Sequence, residues 1–245
     1  MEIFDAHTFF GAVPEEKTDC SLPTLLRELE RHGIGRALTL SLKGVRYDAE
    51  EGNAETLEAC RAHSHIGNPV LAPVATIDPR RWLGASEQIA GWRRAGLKAA
   101  RLFPEAQGWP LDYLPLERIL AEIDAAGLPV MVSAERQGTA TQIARLAKRL
   151  SVPIILMEVG YWAFAEGLAA AQLDEKIHME TSNFAAPGSV ELAAKAVGAE
   201  RLLFGSGLPR RSAASALAMV TSSRLSASQQ ELILGGNLKR ITRLE

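Results

Sequence analysis

The sequence predicts an α/β fold: a single (β/α)8 TIM barrel over residues 1–245, with extra helices at its C-terminal end. Three observations carry this. Eight short apolar runs alternate with helical patterns along the whole chain. Glycines recur where the helical patterns stop, as at Gly33, Gly96, Gly127 and Gly198. The length, 245 residues, matches one barrel of about 250 residues and leaves little room for inserted loops.

Each element has its own signal. Ile3 to His7 reads as the first strand. A helix follows over Leu22 to His32: Ser21 can cap it, Pro23 suits its first turn, and Leu22, Leu25, Leu26 and Leu29 line one face. Gly33 then ends it, because glycine takes the left-handed conformation readily. Arg36 to Ser41 is the second strand, Ala49 to His63 a helix and Val70 to Ile77 the third strand. A helix around Glu87 to Arg94 leads to strand four, Leu97 to Phe103. A helix over Leu116 to Ala126 leads to strand five, Leu128 to Ser133, and Gln137 to Leu150 is helical before strand six, Pro153 to Val159. A helix near Trp162 to Gln172 precedes strand seven, Lys176 to Thr181. Pro187 to Val197 is helical before strand eight, Arg201 to Ser206. Two further helices follow, around Ser212 to Ser222 and Ser226 to Leu234. Strands that alternate with crossover helices form a parallel sheet, and eight such units suit a closed barrel better than an open sheet.

Composition narrows the function. Apolar residues make up 47% and charged residues 23%, which excludes a disordered chain, a collagen and a coiled coil. The net charge of -2 gives no positive field for a phosphate backbone. The pairs Arg80-Arg81, Arg93-Arg94 and Arg210-Arg211 are scattered and read as solvated faces, so no nucleic-acid partner is expected. Cys20 and Cys60 are too few for a disulfide scaffold and read as free thiols in a reducing compartment. The segment Met1 to His7 lacks the basic-then-apolar pattern of a signal peptide. The longest apolar stretches, such as Pro69 to Ile77, fall far short of a membrane span. A cytoplasmic location without membrane contact is expected.

In a barrel the working residues stand at the C-terminal ends of the strands. Strand one ends in Asp5-Ala6-His7-Thr8-Phe9, where simple alternation puts Asp5, His7 and Phe9 on one face. Strand two leads to Ser41-Leu42-Lys43, and strand four carries Lys98, Arg101 and Phe103-Pro104. Strand five ends in Ser133-Ala134-Glu135-Arg136 and strand six in Glu158-Val159-Gly160. Strand seven has His178, Glu180 and Ser182 on one face, and strand eight runs into Gly205-Ser206-Gly207-Leu208-Pro209.

These segments resemble the amidohydrolase-related barrels, the branch that includes decarboxylases of aromatic acids and lactone hydrolases. Ile3-Phe4-Asp5-Ala6-His7 is similar to the family's opening strand, and Val74-Ala75-Thr76-Ile77-Asp78-Pro79 resembles its third strand and the following turn. The runs Gly96 to Pro104, Leu128 to Val132 and Arg201 to Ser206 resemble strands four, five and eight. Ile233-Leu234-Gly235-Gly236-Asn237 resembles the closing helix. The resemblance implies a metal site, and the departures fall there. The family's His-x-His is here His7-Thr8-Phe9. Its histidines at the ends of strands five and six are Ser133 and Glu158, and its aspartate after the strand-eight Gly-Ser is Gly207. Of these five positions only His7 keeps the family residue. A catalytic zinc needs three protein ligands. His7, Glu158 and Asp5 could supply three donors, but strands one and six are not neighbours. No metal and no other cofactor are expected.

Each candidate carries two readings. His7 is either a hydrogen-bonded core histidine or a ligand or base. Glu158 is either ion-paired with Arg101 or Arg136, or a general acid or base or a substrate anchor. Arg101 either pairs with Glu158 or clamps a substrate carboxylate. Ser133 and Ser206 read as hydrogen-bonding groups, since Gly205-Ser206-Gly207 lacks the spacing of a nucleophile elbow. Phe9, Phe103, Trp109, Tyr161 and Trp162 roof a pocket or belong to core and interface.

The functional expectation is a barrel with a degraded metal site. Its mouth would bind a small anionic metabolite through Arg101, Ser133 and Ser206, with little or no metal-dependent hydrolase activity. The alternative is a metal-independent hydrolase or lyase for a small carboxylated or lactone substrate. There Glu158 would act as general acid or base, with His7 assisting. A structural partner in a homo-oligomer is a third reading. Phe9 is expected to fill the space of a lost ligand, and Glu158 to be coupled to Arg101.

Overall fold

The computed structural model describes residues 2–14, 17–64, 69–84 and 86–244; Met1, at the head of the N-terminal segment read above, lies outside them. The elements run β1 (Ile3–Phe10), α1 (Leu22–Arg31), β2 (Ile34–Ser41), α2 (Leu42–Arg46), α3 (Ala49–Ala62), β3 (Val70–Thr76), α4 (Ser86–Ala95) and β4 (Ala99–Leu102). They continue with α5 (Pro104–Gln107), α6 (Leu114–Ala125), β5 (Val130–Ser133), α7 (Thr139–Ala147), β6 (Ile154–Met157), α8 (Phe164–Leu173) and β7 (Ile177–Glu180). The chain ends with α9 (Ser189–Val197), β8 (Leu202–Leu203), α10 (Ala213–Thr221), α11 (Ala227–Glu231) and α12 (Asn237–Thr242).

The eight strands pair in sequence order, each parallel to the next. The ends of the sheet meet. Ala6 N–H donates to Phe204 O, Phe9 N–H to Leu208 O and Gly207 N–H to His7 O, each at 2.9 Å. The fold is the (β/α)8 barrel that the sequence predicts, with helices after the last strand.

Two apolar layers hold it. The inner one is built from alternating strand residues, among them Leu38, Leu40, Val74, Met131, Ile155 and Leu203, joined by Leu238 and Ile241 of α12. The outer one sets helix residues such as Leu25, Leu29, Leu116 and Ile119 against the opposite strand faces. The inner cluster is dense and apolar up to the C-terminal ends of the strands, where polar groups take over.

Four details differ from the sequence reading. β1 extends to Phe10, and its register against β2 slips between Asp5 and Thr8. Ala6 and Phe9 both join the inner cluster, so simple alternation fails there. The short helices α2 and α5 follow strands directly; Pro104 begins α5, where its fixed φ suits a first turn. β8 is only two residues long; just beyond it Phe204 accepts the Ala6 N–H of β1 and gives its own N–H to Ile233 O. Beyond α11 the helix runs on past Leu234 without a break, through a π turn over Leu232–Gly236 into α12. No described helix is long and apolar enough to cross a membrane. Cys20 and Cys60 are both buried, and burial pushes the Cys60 thiol up to about 12.

Candidate functional site

The polar cluster sits where β1, β4, β5, β6 and β7 end. Its floor is set by β1. Asp5 Oδ1 accepts the His7 N–H at 2.8 Å and the Ser206 N–H at 2.9 Å, which pins the irregular stretch of β1 to the end of β8. Asp5 therefore serves the main chain and does not face the mouth beside His7. Its other oxygen is buried with no partner. Burial raises the Asp5 carboxyl to about 7, partly offset by the hydrogen bonds from Ser206 and His7.

His7 is fully buried between two charged partners. On one side Nδ1 lies 3.1 Å from Glu180 Oε2 and 3.0 Å from Ser182 Oγ. On the other, Nε2 lies 3.1 Å from an Arg101 guanidinium nitrogen. A guanidinium can only donate, so Nε2 accepts and the ring proton sits on Nδ1, facing Glu180.

The same Arg101 nitrogen donates to Glu158 Oε2 at 3.0 Å. That oxygen also accepts the Ser133 hydroxyl at 2.6 Å. The other Glu158 oxygen lies 3.7 Å from His7 Nε2. Arg101 is 1% exposed, and its charge is held between two rings. Its guanidinium carbon is 4.7 Å from the Phe9 centroid and 4.8 Å from that of Phe103. The Arg101 Nε is buried without a partner.

Glu158 has φ +60°, a left-handed backbone that a non-glycine residue rarely adopts. Its carbonyl accepts the Asn183 side-chain amide at 2.9 Å, and its N–H faces Glu180 Oε2 at 3.3 Å. Asn183 in turn accepts a hydrogen bond from Arg211, which also lies 3.8 Å from Glu135. Burial alone would raise the Glu158 carboxyl; the Arg101 charge, and with it the Ser133 hydrogen bond, outweighs burial and pulls it down to about 2. Glu180 is likewise opposed by burial but held below its ordinary value by His7 and by Ser182. Burial drives the Arg101 guanidinium down against the pull of Glu158.

Four of the five residues singled out from the sequence thus meet in one network: His7, Arg101, Ser133 and Glu158. Ser206 does not join it. Ser206 is fully buried, its N–H is given to Asp5, and its hydroxyl accepts the Leu208 N–H at 3.0 Å. Glu180, Ser182 and Asn183 complete the network and are not among the residues the sequence singles out. The signal for Glu180 was present: a carboxylate closing an apolar strand, as at Glu158. Of the aromatic residues, Phe9, Phe103 and Trp109 are buried, whereas Tyr161 and Trp162 stand exposed and pack edge to face.

Chemically the cluster is closed on itself. Glu158 is ionised and accepts two hydrogen bonds, so at neutral pH it has no proton to donate. Ser133 gives its proton to that carboxylate and not to a base that would activate it. Among the described residues, no group of three or more His, Cys, Asp or Glu side chains is placed to hold a metal ion.

A sequence model of the amidohydrolase family matches residues 25–243. No curated protein sequence matches significantly. Several solved structures share the fold. A 2,6-dihydroxybenzoate decarboxylase from Rhizobium is 15% identical, with TM-score 0.75 over 100% of this chain and 99% of that one. A 5-carboxyvanillate decarboxylase from Sphingomonas paucimobilis is 14% identical, with TM-score 0.76 over 100% and 99%. A dihydroxybenzoic acid decarboxylase from Polaromonas sp. JS666, solved with manganese and 2-nitroresorcinol, is 15% identical, with TM-score 0.77 over 99% and 97%.

Proposed function

The chain belongs to the amidohydrolase family, and we propose that it is a member with a degraded metal site. On this reading its barrel mouth binds a small anionic metabolite, with little or no metal-dependent hydrolase activity. One observation carries the reading: a guanidinium nitrogen of Arg101 stands between His7 Nε2 and Glu158 Oε2, at 3.1 and 3.0 Å. The decarboxylase from Polaromonas holds manganese. The donor set here does not suit such an ion. A fixed positive charge and a divalent cation repel each other strongly in a buried site. The space beside His7 is taken by the Phe9 ring, 5.1 Å from the imidazole centroid to centroid. Gly207, with φ +74°, has no side chain, and a Cβ there would lie 2.7 Å from Arg211 Cδ. The arginine side chain has filled that volume.

An anionic ligand is supported by the guanidinium groups gathered near the strand ends, and by structural neighbours that act on small aromatic carboxylates. The presence of only two cysteines, too few for a disulfide scaffold, supports a reducing, cytoplasmic location. The second reading, a metal-independent hydrolase or lyase with Glu158 as general acid or base, draws on the left-handed Glu158 backbone, since such outliers cluster at working sites. It ranks lower because a carboxyl held near 2 is a poor acid and a weak base.

The test is elemental analysis of protein purified without chelator and then dialysed. Zinc, manganese and iron should each be far below one per chain. About one metal per chain, retained through dialysis, would overturn the reading.

A further inference from the structure

Two aromatic side chains face water beside the barrel mouth. Tyr161 is 64% exposed and Trp162 78%, and their rings pack edge to face, 5.1 Å apart. They belong to the turn that joins β6 to α8. Next to them an apolar groove of about 230 Å³ runs between the start of α8 and the loop from β7 to α9. Tyr161, Phe164, Ala165, Ala186, Pro187 and Leu192 are among the residues lining it, and Trp162 stands outside it. We propose that this face is the contact between two copies of the chain, with Trp162 of each copy seated in the groove of the other. The proposal does not depend on the anion-binding reading.

Knob and groove are both formed within the single chain. Tyr161 to Ala163 make one tight turn, in which the Ala163 N–H donates to Gly160 O at 3.1 Å. The Gln137 amide donates to Trp162 O at 3.3 Å, so the indole stands on a tethered main chain. In the groove wall Phe164 packs edge to face on the buried Phe184, with centroids 4.9 Å apart. The Ser189 hydroxyl is turned to Ala186 O and leaves the groove apolar. A cavity of about 150 Å³ already holds a benzene molecule, so this groove has room for an indole. Surfaces formed in advance lose little freedom on association.

Charge and area select the partner. Glu166 and Glu191 are the only charged residues in segments 161–173 and 184–194. Both serve main-chain donors: Glu166 accepts the Gly138 and Thr141 N–H groups at 2.8 and 2.7 Å, and Glu191 accepts that of Arg224 at 3.0 Å. None of the described residues lining the groove is charged. A nucleic acid or an anionic lipid surface would find no cation there. Lys195 lies one turn past Leu192 on α9, at the rim, where interfaces carry their charges. An exposed apolar patch of this kind marks a protein contact. Because knob and groove share one patch, a two-fold axis brings each knob to the other's groove and closes the pair. Tyr161 and Trp162 alone offer on the order of 300 Å² per copy. That is more than half of the roughly 500 Å² per partner a specific interface needs, and Pro187, Leu192 and the alanines add to it.

The experiment is sedimentation equilibrium of the full chain over a concentration series, repeated on Trp162→Asp and Ala165→Glu. Leu114→Asp, at an exposed leucine of α6, is the control. The unmutated protein and the control should sediment at twice the chain mass. Trp162→Asp and Ala165→Glu should each weaken self-association by at least about thirtyfold, the scale of a central aromatic hot spot. Both positions are exposed in the single chain, so neither change should disturb the fold. Hydroxyl-radical footprinting of the unmutated protein gives a readout that needs no variant: oxidation of Trp162 should fall as the concentration rises. A monomer at every concentration, with Trp162 reactive throughout, would overturn the proposal and leave the face to a different protein. A dimer that survives both variants, with Trp162 still reactive, would overturn it by placing the contact elsewhere. Dissociation of Leu114→Asp along with the two variants would do the same. Assemblies that grow beyond two copies would overturn the reciprocal geometry, since a knob and groove joined without two-fold symmetry build open chains.

Discussion

One Arg101 guanidinium nitrogen and Glu158 Oε2 meet at 3.0 Å although their strands, β4 and β6, are separated by β5. Ser133, at the end of that intervening strand, donates to the same oxygen. Removing one partner of a buried pair leaves the other charge uncompensated. Arg101→Met should therefore destabilise the protein by about 3–5 kcal/mol. Arg101→Met combined with Glu158→Met should cost less than the two single changes added together. Urea unfolding of the four proteins gives the coupling. A value within error of zero, with both single variants near the parent stability, would show that the pair contributes nothing.

The pH dependence of stability follows from two buried groups with opposite slopes. Asp5 has its folded value raised to about 7 by burial. Its contribution is lost as pH rises from the ordinary carboxylate range towards 7, on the order of 4 kcal/mol in all. His178 has its folded value lowered to about 3, by burial first and then by the nearby Arg201 and Arg240 charges. Its contribution is present above its ordinary value and is lost as pH falls from about 6.5 towards 3. Between about pH 4 and 6.5 the two slopes oppose each other. Asp5→Asn, which keeps an acceptor for the two N–H groups, should unmask a stability that rises with pH across that window. Urea midpoints that fall with pH in Asp5→Asn would refute the assignment.

Phe9 packs against His7 on one side and the Arg101 guanidinium on another. Phe9→Ala removes a buried ring and uncovers a buried charge, at an expected cost of about 3–5 kcal/mol. Arg101 should also become reachable by arginine-modifying reagents such as phenylglyoxal. Mass spectrometry of the modified protein reads this directly. A stable variant with Arg101 still protected would mean that the ring neither packs nor shields.

Gly207 has φ +74°, and Arg211 fills the space where a side chain would stand. Gly207→Ala should cost about 1–3 kcal/mol from backbone strain and the clash together. Adding Arg211→Ala should recover only the clash, since the left-handed backbone remains. Full recovery in the double variant, measured by thermal unfolding, would show that strain plays no part at this position.

The barrel was legible in the sequence because its signals are local. Apolar runs, helical periodicity and stop glycines each act over a few residues, and their order alone implies parallel strands and crossover helices. The strand ends, and with them His7, Arg101, Ser133 and Glu158, followed from that order. What only the tertiary structure decided is who meets whom. His7 bonds to Glu180, 173 residues away, and no periodicity encodes that distance. Glu158 pairs with Arg101 and not Arg136 because Arg101 lies inside the barrel, where burial makes an unpaired charge costly, whereas Arg136 is exposed to water. The register slip between Asp5 and Thr8 turns Asp5 to the main chain, against the simple alternation expected of β1, and with it draws Ser206 out of the polar cluster. Local pattern fixes which face a side chain can take; closure of the barrel, a non-local event, fixes its partner.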